Sequence, residues 1–195
     1  MARDARIERH TSETRVAVNL DLDGQGKAVV DTGIAFFDHM LTLFCVHGGF
    51  DVEIHARGDL QVDYHHTVED VALVLGAALS RALDERIGIR RYGFAVTPMD
   101  EALAEVAIDL SNRPFLVYQV PAALTSPGVF DPGLAKEFFR ALAVKGGMNL
   151  HINVKYGENE HHVIEAIYKS VGRALKQAVT IDAGRVGVRS TKGSL

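Results

Sequence analysis

The 195-residue chain contains a single cysteine, Cys45, so no disulfide can form within it. It also has no apolar run close to the roughly 18 to 20 uncharged residues that a membrane-spanning helix requires. The first residues, MARDARIERHTSE, lack the apolar core of a secretory signal. These absences predict a protein of a reducing, cytoplasmic setting that has no membrane partner.

An excess of basic charge is missing too. The formal net charge is -4, and charges of both signs are interspersed, so there is no broad positive field to hold a nucleic-acid backbone. An RNA-binding module is disfavoured for that reason, and because no aromatic-plus-basic surface pattern is visible. Any site for an anion must therefore be local.

Hydrophobic residues make up 47% of the chain, enough for one substantial core. Alternating apolar and polar residues over 5–32 predict a meander of strands with a Gly-rich turn at DGQG. The segment FFDHMLTLFCVH predicts a helix that ends at Gly48 and Gly49, and FDVEIHA predicts a strand. The apolar face over 67–85 is too wide for a lone surface helix, so that helix is expected between two packed surfaces.

The second part of the chain repeats this order. A fixed shift of 96 aligns the two segments that begin HHTVED and HHVIEA, with six identities in fifteen ungapped positions where chance gives about one. Upstream, the shift grows to 98 at Gly48-Gly49 and to 102 at Phe36-Phe37. We interpret this as a duplicated half-domain of roughly 90 to 100 residues, not a short-period solenoid.

The predicted fold class is α/β of the α+β type. It contains an internal duplication of a strand-rich half-domain, and each half is a four-stranded sheet packed on helices. The predicted boundaries are 1–92 for the first repeat, 93–184 for the second and 185–195 for a C-terminal tail, and all three form one compact unit.

The duplicated HHxxE motif is the main candidate for chemistry. On a helix, residues four apart lie on one face, so the first histidine and the glutamate can bind one ion. These pairs are His65 with Glu69 and His161 with Glu165. The second histidine of each motif points about 100° away, where it could serve a second ion.

A single HHxxE is more often a capping or surface group, but its repetition at corresponding positions favours metal binding. The donor set contains no thiolate and suits Mn, Fe, Co, Ni or Zn, and mixed nitrogen and oxygen ligands favour a six-coordinate ion such as Mn(II). His39 is a further candidate ligand. His47, His55 and His151 are interpreted as structural.

Two other functions fit a pair of metal-binding motifs. One is a metal-storage or metal-sensing protein with no organic substrate, although di-metal helical bundles use the reverse Glu-x-x-His order and contain few strands. The other is a di-metal hydrolase that attacks an ester or amide with a bridging hydroxide.

Several motifs together resemble the imidazoleglycerol-phosphate dehydratase family across essentially the whole chain: FFDHM, HHTVED, MDEALAE, DLSNRPF, LHINVKYGENEHHVIEA and STKG. The resemblance implies a hydro-lyase of histidine biosynthesis that converts imidazole-glycerol phosphate to imidazole-acetol phosphate and water. It further implies two Mn(II) ions per active site, a metal-bound imidazolate intermediate, and a 24-subunit homo-oligomer with active sites between subunits.

The resemblance also implies a ligand set for each ion. One ion would be bound by His39, His66, His161 and Glu165, and the other by His65, Glu69 and His162. Some family members have a histidine just before the second Phe-Phe pair, where this chain has Glu137. Since a carboxylate can replace an imidazole, Glu137 is an expected ligand of the second set.

The implied catalytic residues are Glu13, His39 and Glu165, with Glu13 as the acid/base group that also contacts substrate. The implied phosphate-binding residues are Arg91, Arg113, Lys169, Ser190, Thr191 and Lys192. Lys169 follows His162 by two helical turns, so we expect it on the same side, some 10 Å beyond the metal. The acidic residues of MDEALAE are expected to have supporting or structural roles, and the tail is expected to order when phosphate binds.

Overall fold

The computed structural model describes residues 2–120, 130–184 and 187–193. Its elements, in chain order, are β1 Asp4–His10, β2 Thr14–Asp21, β3 Ala28–Asp31, α1 Ala35–Gly48, β4 Asp51–Gly58, α2 His65–Leu83, β5 Tyr92–Met99, β6 Ala102–Asp109, β7 Phe115–Gln119, α3 Pro132–Gly146, β8 Asn149–Tyr156 and α4 Glu160–Val179. Parts of the predicted repeats and tail, residues 1, 121–129, 185–186 and 194–195, lie outside the described residues. No helix among the described residues is long and apolar enough to span a membrane.

Two four-stranded sheets have the same topology. The strand orders are β1-β2-β4-β3 and β5-β6-β8-β7, and in each sheet only the last pair is parallel. Alternate residues of β2, namely Val16, Val18 and Leu20, are buried, because successive side chains of a strand point to opposite faces. The second sheet repeats this pattern, and the predicted duplication of a four-stranded half-domain is confirmed.

The predicted meander over residues 5–32 is wrong in one respect. β1 and β2 form an antiparallel hairpin, but β3 does not pair with β2. Instead β4 lies between them, and β3 pairs in parallel with β4. Alternation reveals which face of a strand is buried but not its neighbour. The pattern therefore predicts a hairpin turn at DGQG, whereas in the structure this segment connects two strands that are separated by β4.

The helices form the middle of the molecule. α2 packs on β1 and β2, α4 packs on β5 and β6, and the two helical layers meet through the pairs α1 with α4 and α2 with α3. Since α2 has a sheet on one side and α3 on the other, the prediction that it lies between two packed surfaces is confirmed. The main helix–helix contacts in this central layer therefore join the first half to the second.

Glycines allow the helices to approach closely. A Cβ atom on Gly172 of α4 would lie 2.4 Å from the Phe44 carbonyl oxygen of α1, and one on Gly76 of α2 would lie 2.9 Å from the Leu142 carbonyl oxygen of α3. Both contacts are shorter than a side chain permits. The spacing of these helix pairs, and hence the position of every side chain between them, depends on the missing Cβ atoms.

Candidate functional site

Three potential metal ligands converge where α1 packs on α4. Nε2 of His161 lies 3.2 Å, and Nε2 of His39 3.4 Å, from Oε2 of Glu165. One ligand atom from each residue lies within 4.8 Å of the other two. The Glu165 side chain is only 8% exposed, whereas both imidazoles are about half exposed. In the described part of the chain this is the only group of three such ligands.

Local structure orients the second motif. The side chain of Asn159 is the N-cap of α4 and accepts a hydrogen bond from the backbone N–H of His161 at 2.9 Å. His161 therefore lies in the first turn of the helix, and Glu165 follows one turn later on the same face. The ring of Phe36, on α1, contacts the His161 ring edge-on at a centroid distance of 5.2 Å. These contacts restrict the imidazole from two sides.

Lys169 lies one further turn along this face of α4. Its Nζ is 2.6 Å from Oε1 of Glu165, and its side chain is 15% exposed. Burial alone would raise the pKa of the Glu165 carboxyl, but Lys169 and then the two histidines outweigh burial and lower the pKa. The spacing argument expected Lys169 on the face of His162. The structure instead places its ammonium on the carboxylate of the three-ligand cluster.

The first motif lies where α2 packs on α3. Nε2 of His65 is 3.6 Å from Oε2 of Glu69, and the guanidinium of Arg140 lies 4.0 Å from the other oxygen of Glu69. Arg140 also pairs with Glu137, its neighbour one turn back on α3. Glu137 and Glu69 thus face one shared arginine. The structure brings Glu137 to the same helix pair as His65 and Glu69.

The second histidine of each motif contacts a carboxylate through Nδ1. His66 lies 3.0 Å from Asp59, and His162 lies 2.7 Å from Glu101. These hydrogen bonds raise the pKa of both histidines, and His162 together with the Asn159 N–H lowers the pKa of Glu101 to about 2. A histidine held through Nδ1 presents Nε2 outward, as metal-binding histidines commonly do.

Each chain therefore brings together part of each expected ligand set. His39, His161 and Glu165 converge. His66, in the first turn of α2, instead contacts Asp59 on the loop that precedes this helix. Likewise His65 and Glu69 form a pair. His162, in the first turn of α4, instead contacts Glu101 in the turn between β5 and β6.

Glu13 and Glu101 occupy equivalent places in the two sheets. Each is the residue directly before the second strand, at the turn between β1 and β2 or between β5 and β6. Oε2 of Glu13 is 3.9 Å from Nδ1 of His66, so both turns direct a glutamate towards the second histidine of a motif. Glu101 is engaged at both oxygens, since Oε1 accepts from the backbone N–H groups of residues 158 and 159. Glu13 is half exposed at its turn.

A cationic cavity, separate from the ligand clusters, lies at the start of β5. Its volume is about 680 Å³. Five of the six expected phosphate-binding residues line it, namely Arg91, Arg113, Ser190, Thr191 and Lys192. The remaining wall includes Tyr92, Ser111, Asn112 and Arg189. Residues distant in sequence thus meet in one local cluster of cationic and hydroxyl side chains.

Arg91 forms one wall of this cavity, and its guanidinium makes hydrogen bonds within the protein. Its guanidinium makes two hydrogen bonds to Asp109 on β6, at 2.6 and 3.0 Å. It also donates to the backbone carbonyl of Arg189, and so attaches the segment that carries Ser190 and Lys192. The hydrogen bonds that Arg91 donates to Asp109 raise the pKa of Arg91.

The two sites are far apart within one chain. The backbone N–H of Arg91 donates to the carbonyl of Ala178 at the end of α4, whereas His161 is at the beginning of that helix. Seventeen residues at 1.5 Å each separate them by about 25 Å along the axis. No small molecule contacts both in the same chain.

Comparison with known proteins identifies the family of the chain. Residues 32–175 match the family model of imidazoleglycerol-phosphate dehydratase. The chain belongs to the imidazoleglycerol-phosphate dehydratase family. Among curated relatives, the dehydratase of Desulfosudis oleivorans is 57% identical over the full length of both chains, and that of Syntrophobacter fumaroxidans is 55% identical over 99% of this chain and 98% of its own.

Solved structures of the family agree with the fold. The dehydratase of Staphylococcus aureus is 36% identical, with a TM-score of 0.82 over 91% of this chain and 99% of its own. The Pyrococcus furiosus protein, crystallised in complex with (S)-C348, is 38% identical, with a TM-score of 0.83 over 97% of this chain and 100% of its own. A dehydratase is a hydro-lyase, and the imidazole and carboxylate donors clustered here fit a divalent transition ion.

Several residues at these sites were not found from the sequence. Asp59 orients His66, and Arg140 joins Glu69 to Glu137. Asp70, which follows Glu69 directly, is buried and contacts the first hairpin. For Asp70 a signal existed: it is a charged residue directly before the apolar run 71–79, and the second repeat has alanine at the corresponding position.

Proposed function

We propose that this protein dehydrates imidazole-glycerol phosphate to imidazole-acetol phosphate in histidine biosynthesis, in the cytoplasm, with two Mn(II) ions per active site. The observation that carries the proposal is the convergence of His39, His161 and Glu165 in a member of a dehydratase family. A metal-storage protein would need no cationic cavity of the size found beside β5. That cavity favours a phosphorylated substrate.

The chain's own donors suit two ions. His39, His161 and Glu165 would hold one, with His66 supplied by a second copy of the chain. His65, Glu69 and Glu137 would contribute to the other, together with His162 of a further copy. Divalent cations bound there would supply Lewis acidity to the imidazole ring of the substrate and would fix its orientation.

The separation within one chain supports active sites between subunits. The ring and the phosphate of the substrate are joined by a three-carbon chain with bonds of about 1.5 Å, far too short to span the roughly 25 Å from His161 to Arg91. An active site that uses both regions must therefore combine different chains. We propose a closed homo-oligomer, a 24-mer as the family resemblance implies.

Dehydration removes a hydroxyl group from one carbon and a proton from the next. Glu13 is the proposed acid/base group, because its half-exposed carboxylate lies beside His66. The carboxylate of Glu101, by contrast, accepts hydrogen bonds from the backbone N–H groups before α4. Arg113, Ser190, Thr191 and Lys192 would bind the phosphate, and Arg91 would both contact it and hold the segment around residue 189. Lys169 would keep Glu165 ionised beside the metal.

The test is turnover of imidazole-glycerol phosphate by purified, Mn-loaded protein, followed by chelation and reloading. We expect dehydration that is lost on chelation and restored by Mn(II). Metal binding without turnover would identify a storage or sensing protein, and release of inorganic phosphate would identify a hydrolase. Anomalous scattering from crystals grown with Mn(II) would count the ions and show which chains supply the ligands.

A further inference from the structure

Asp70 is a buried carboxylate that the proposed metal sites do not use. It is 7% exposed, in α2, and directly follows Glu69. Its side chain points towards the hairpin of β1 and β2. There Oδ1 accepts a hydrogen bond from Nε of Arg9 at 2.9 Å, and Oδ2 accepts one from the hydroxyl of Thr14.

These contacts reach the turn that carries Glu13. Thr14 is the first residue of β2, so Glu13 is its immediate neighbour. Within the turn, the hydroxyl oxygen of Thr11 accepts hydrogen bonds from the backbone N–H groups of Glu13 and Thr14, at 3.1 and 2.9 Å. The turn is thereby rigid, and Asp70 ties it to α2.

One face of α2 then sets the position of Glu13 relative to the motif. Asp70 follows His66 by four residues, so both side chains project from the same face one turn apart. Asp70 holds the hairpin through the hydroxyl of Thr14. One helical turn away, Oε2 of Glu13 lies 3.9 Å from Nδ1 of His66. The distance between acid/base group and histidine is fixed through a single helix turn.

The second half of the molecule shows that the fold does not require this network. A Cβ atom on Gly58 would meet Thr67 and Thr14, and one on Gly157 would meet Val163 and Ala102. The shift of 96 pairs Thr67 with Val163 and Asp70 with Ala166. The polar residues Thr14, Thr67 and Asp70 are therefore replaced by Ala102, Val163 and Ala166 in a half with the same sheet topology.

A buried carboxylate is costly to desolvate unless it is paired, and an alanine serves the same helix position in the other repeat. We propose that Asp70 is a positioning residue for the dehydration, and that it acts through Thr14 to hold the carboxylate of Glu13 at the substrate. This inference rests on the proposed role of Glu13. It assigns to Asp70 an effect on the rate of the chemical step and not on substrate binding.

The experiment compares Asp70→Asn, Glu13→Gln and the double variant in the Mn-loaded, assembled enzyme. Asp70→Asn keeps the side-chain shape but presents an N–H group to one of the two donors. We expect kcat to fall by about tenfold or more with KM changed less than about threefold, and we expect the double variant to be no slower than Glu13→Gln, because groups that act as a unit are not additive. Asp84→Asn, at the exposed end of the same helix, is the matched control.

A second pair of variants guards against loss of folding. Thr14→Val removes the hydroxyl that donates to Asp70 at nearly constant volume, and Thr14→Ser retains it. We expect Thr14→Val to reproduce the kcat defect and Thr14→Ser to restore most of the rate, with bound metal per chain unchanged in both.

The outcomes separate this inference from the proposed function. If the native protein does not dehydrate the substrate, the proposed function fails. If the native protein is active and Glu13→Gln is slow, then a normal kcat in Asp70→Asn, or effects of Asp70→Asn and Glu13→Gln that multiply, overturns the positioning role. Equal defects in Thr14→Val and Thr14→Ser would overturn it as well.

Discussion

Nε2 of His39 and Oε2 of Glu165 lie 3.4 Å apart, although the first belongs to the first half of the chain and the second to the other half. They meet because α1 packs on α4, at a distance set by Gly172 against the backbone of Phe44. A cluster of three potential metal ligands is thus assembled across the duplication. Neither half contains it alone.

Removal of one ligand from this cluster should reduce metal binding at that ion. We expect His39→Ala to lose roughly a hundredfold or more in affinity for one ion, since even an outer-sphere partner contributes tenfold to a hundredfold. Elemental analysis after dialysis against a known Mn(II) concentration measures the occupancy. His55→Ala, a half-exposed histidine paired with Glu53, is the control, and equal occupancy in both variants would contradict the assignment.

Glu13 and Glu101 should differ in function although they are equivalent in position. Glu13→Gln should lower kcat by about 10²- to 10⁴-fold with full metal occupancy, because it removes the proton-transfer group alone. Glu101→Gln should instead weaken metal binding, because Glu101 contacts Nδ1 of His162. Steady-state kinetics and metal analysis of the two variants distinguish the roles, and an unimpaired kcat for Glu13→Gln would remove Glu13 from the mechanism.

The Glu101 and His162 pair predicts a pH window for stability of the metal-free protein. The pKa of Glu101 is lowered from 4.5 to about 2, so its contribution is present above pH 4.5 and is lost as pH falls towards 2. The pKa of His162 is raised above 6.5, so its contribution is present below pH 6.5 and is lost as pH rises through the folded pKa.

Both contributions coexist between pH 4.5 and 6.5. We expect the difference in Tm between native protein and Glu101→Gln, both free of metal, to be largest in that window. Thermal unfolding monitored by circular dichroism across pH measures it. A difference that is the same at every pH would mean that the pair is not charged.

Arg113 should contribute to phosphate binding in the cavity beside β5. Its guanidinium is exposed there, whereas that of Arg91 is paired with Asp109. Arg113→Ala should raise KM by about tenfold or more with a smaller effect on kcat, because a charge-assisted hydrogen bond contributes about 1.5 to 3 kcal/mol. Arg81→Ala, at the exposed end of α2, is the control, and an unchanged KM for Arg113→Ala would contradict this assignment of the phosphate site.

Gly172→Ala should destabilise the fold although alanine is the better helix former. In an open helix the change would gain about 1 kcal/mol, but here the new Cβ atom would lie 2.4 Å from the Phe44 carbonyl oxygen. We expect a net loss of about 1 to 3 kcal/mol from overpacking, measured by chemical denaturation of the metal-free protein. Ser80→Ala, at a half-buried helix position, tests the propensity effect by itself, and a stabilised Gly172→Ala would contradict the close packing.

The sequence predicted the elements near the site because each carries a local signal. The helix that ends at Gly48 was predicted from its apolar spacing and the glycine pair, and Gly49 does end it with φ of 63°. The HHxxE motifs were found at helix starts for the same reason, since i and i+4 share a face whatever surrounds them. The pairing of β3 with β4 was missed, because no local signal specifies a neighbouring strand.

The sequence by itself determined the duplication, the family and the candidate metal ligands, since these are properties of residue type and spacing. Only the tertiary structure decided which ligands meet. His39 joins His161 because two helices pack across the repeat, and Asp59 and Glu101 hold the second histidines. Five of the six residues expected to bind phosphate gather about 25 Å from the His161 cluster. The physical reason is that side-chain direction and strand order follow from burial of the shared core, which involves contacts between residues far apart in the chain.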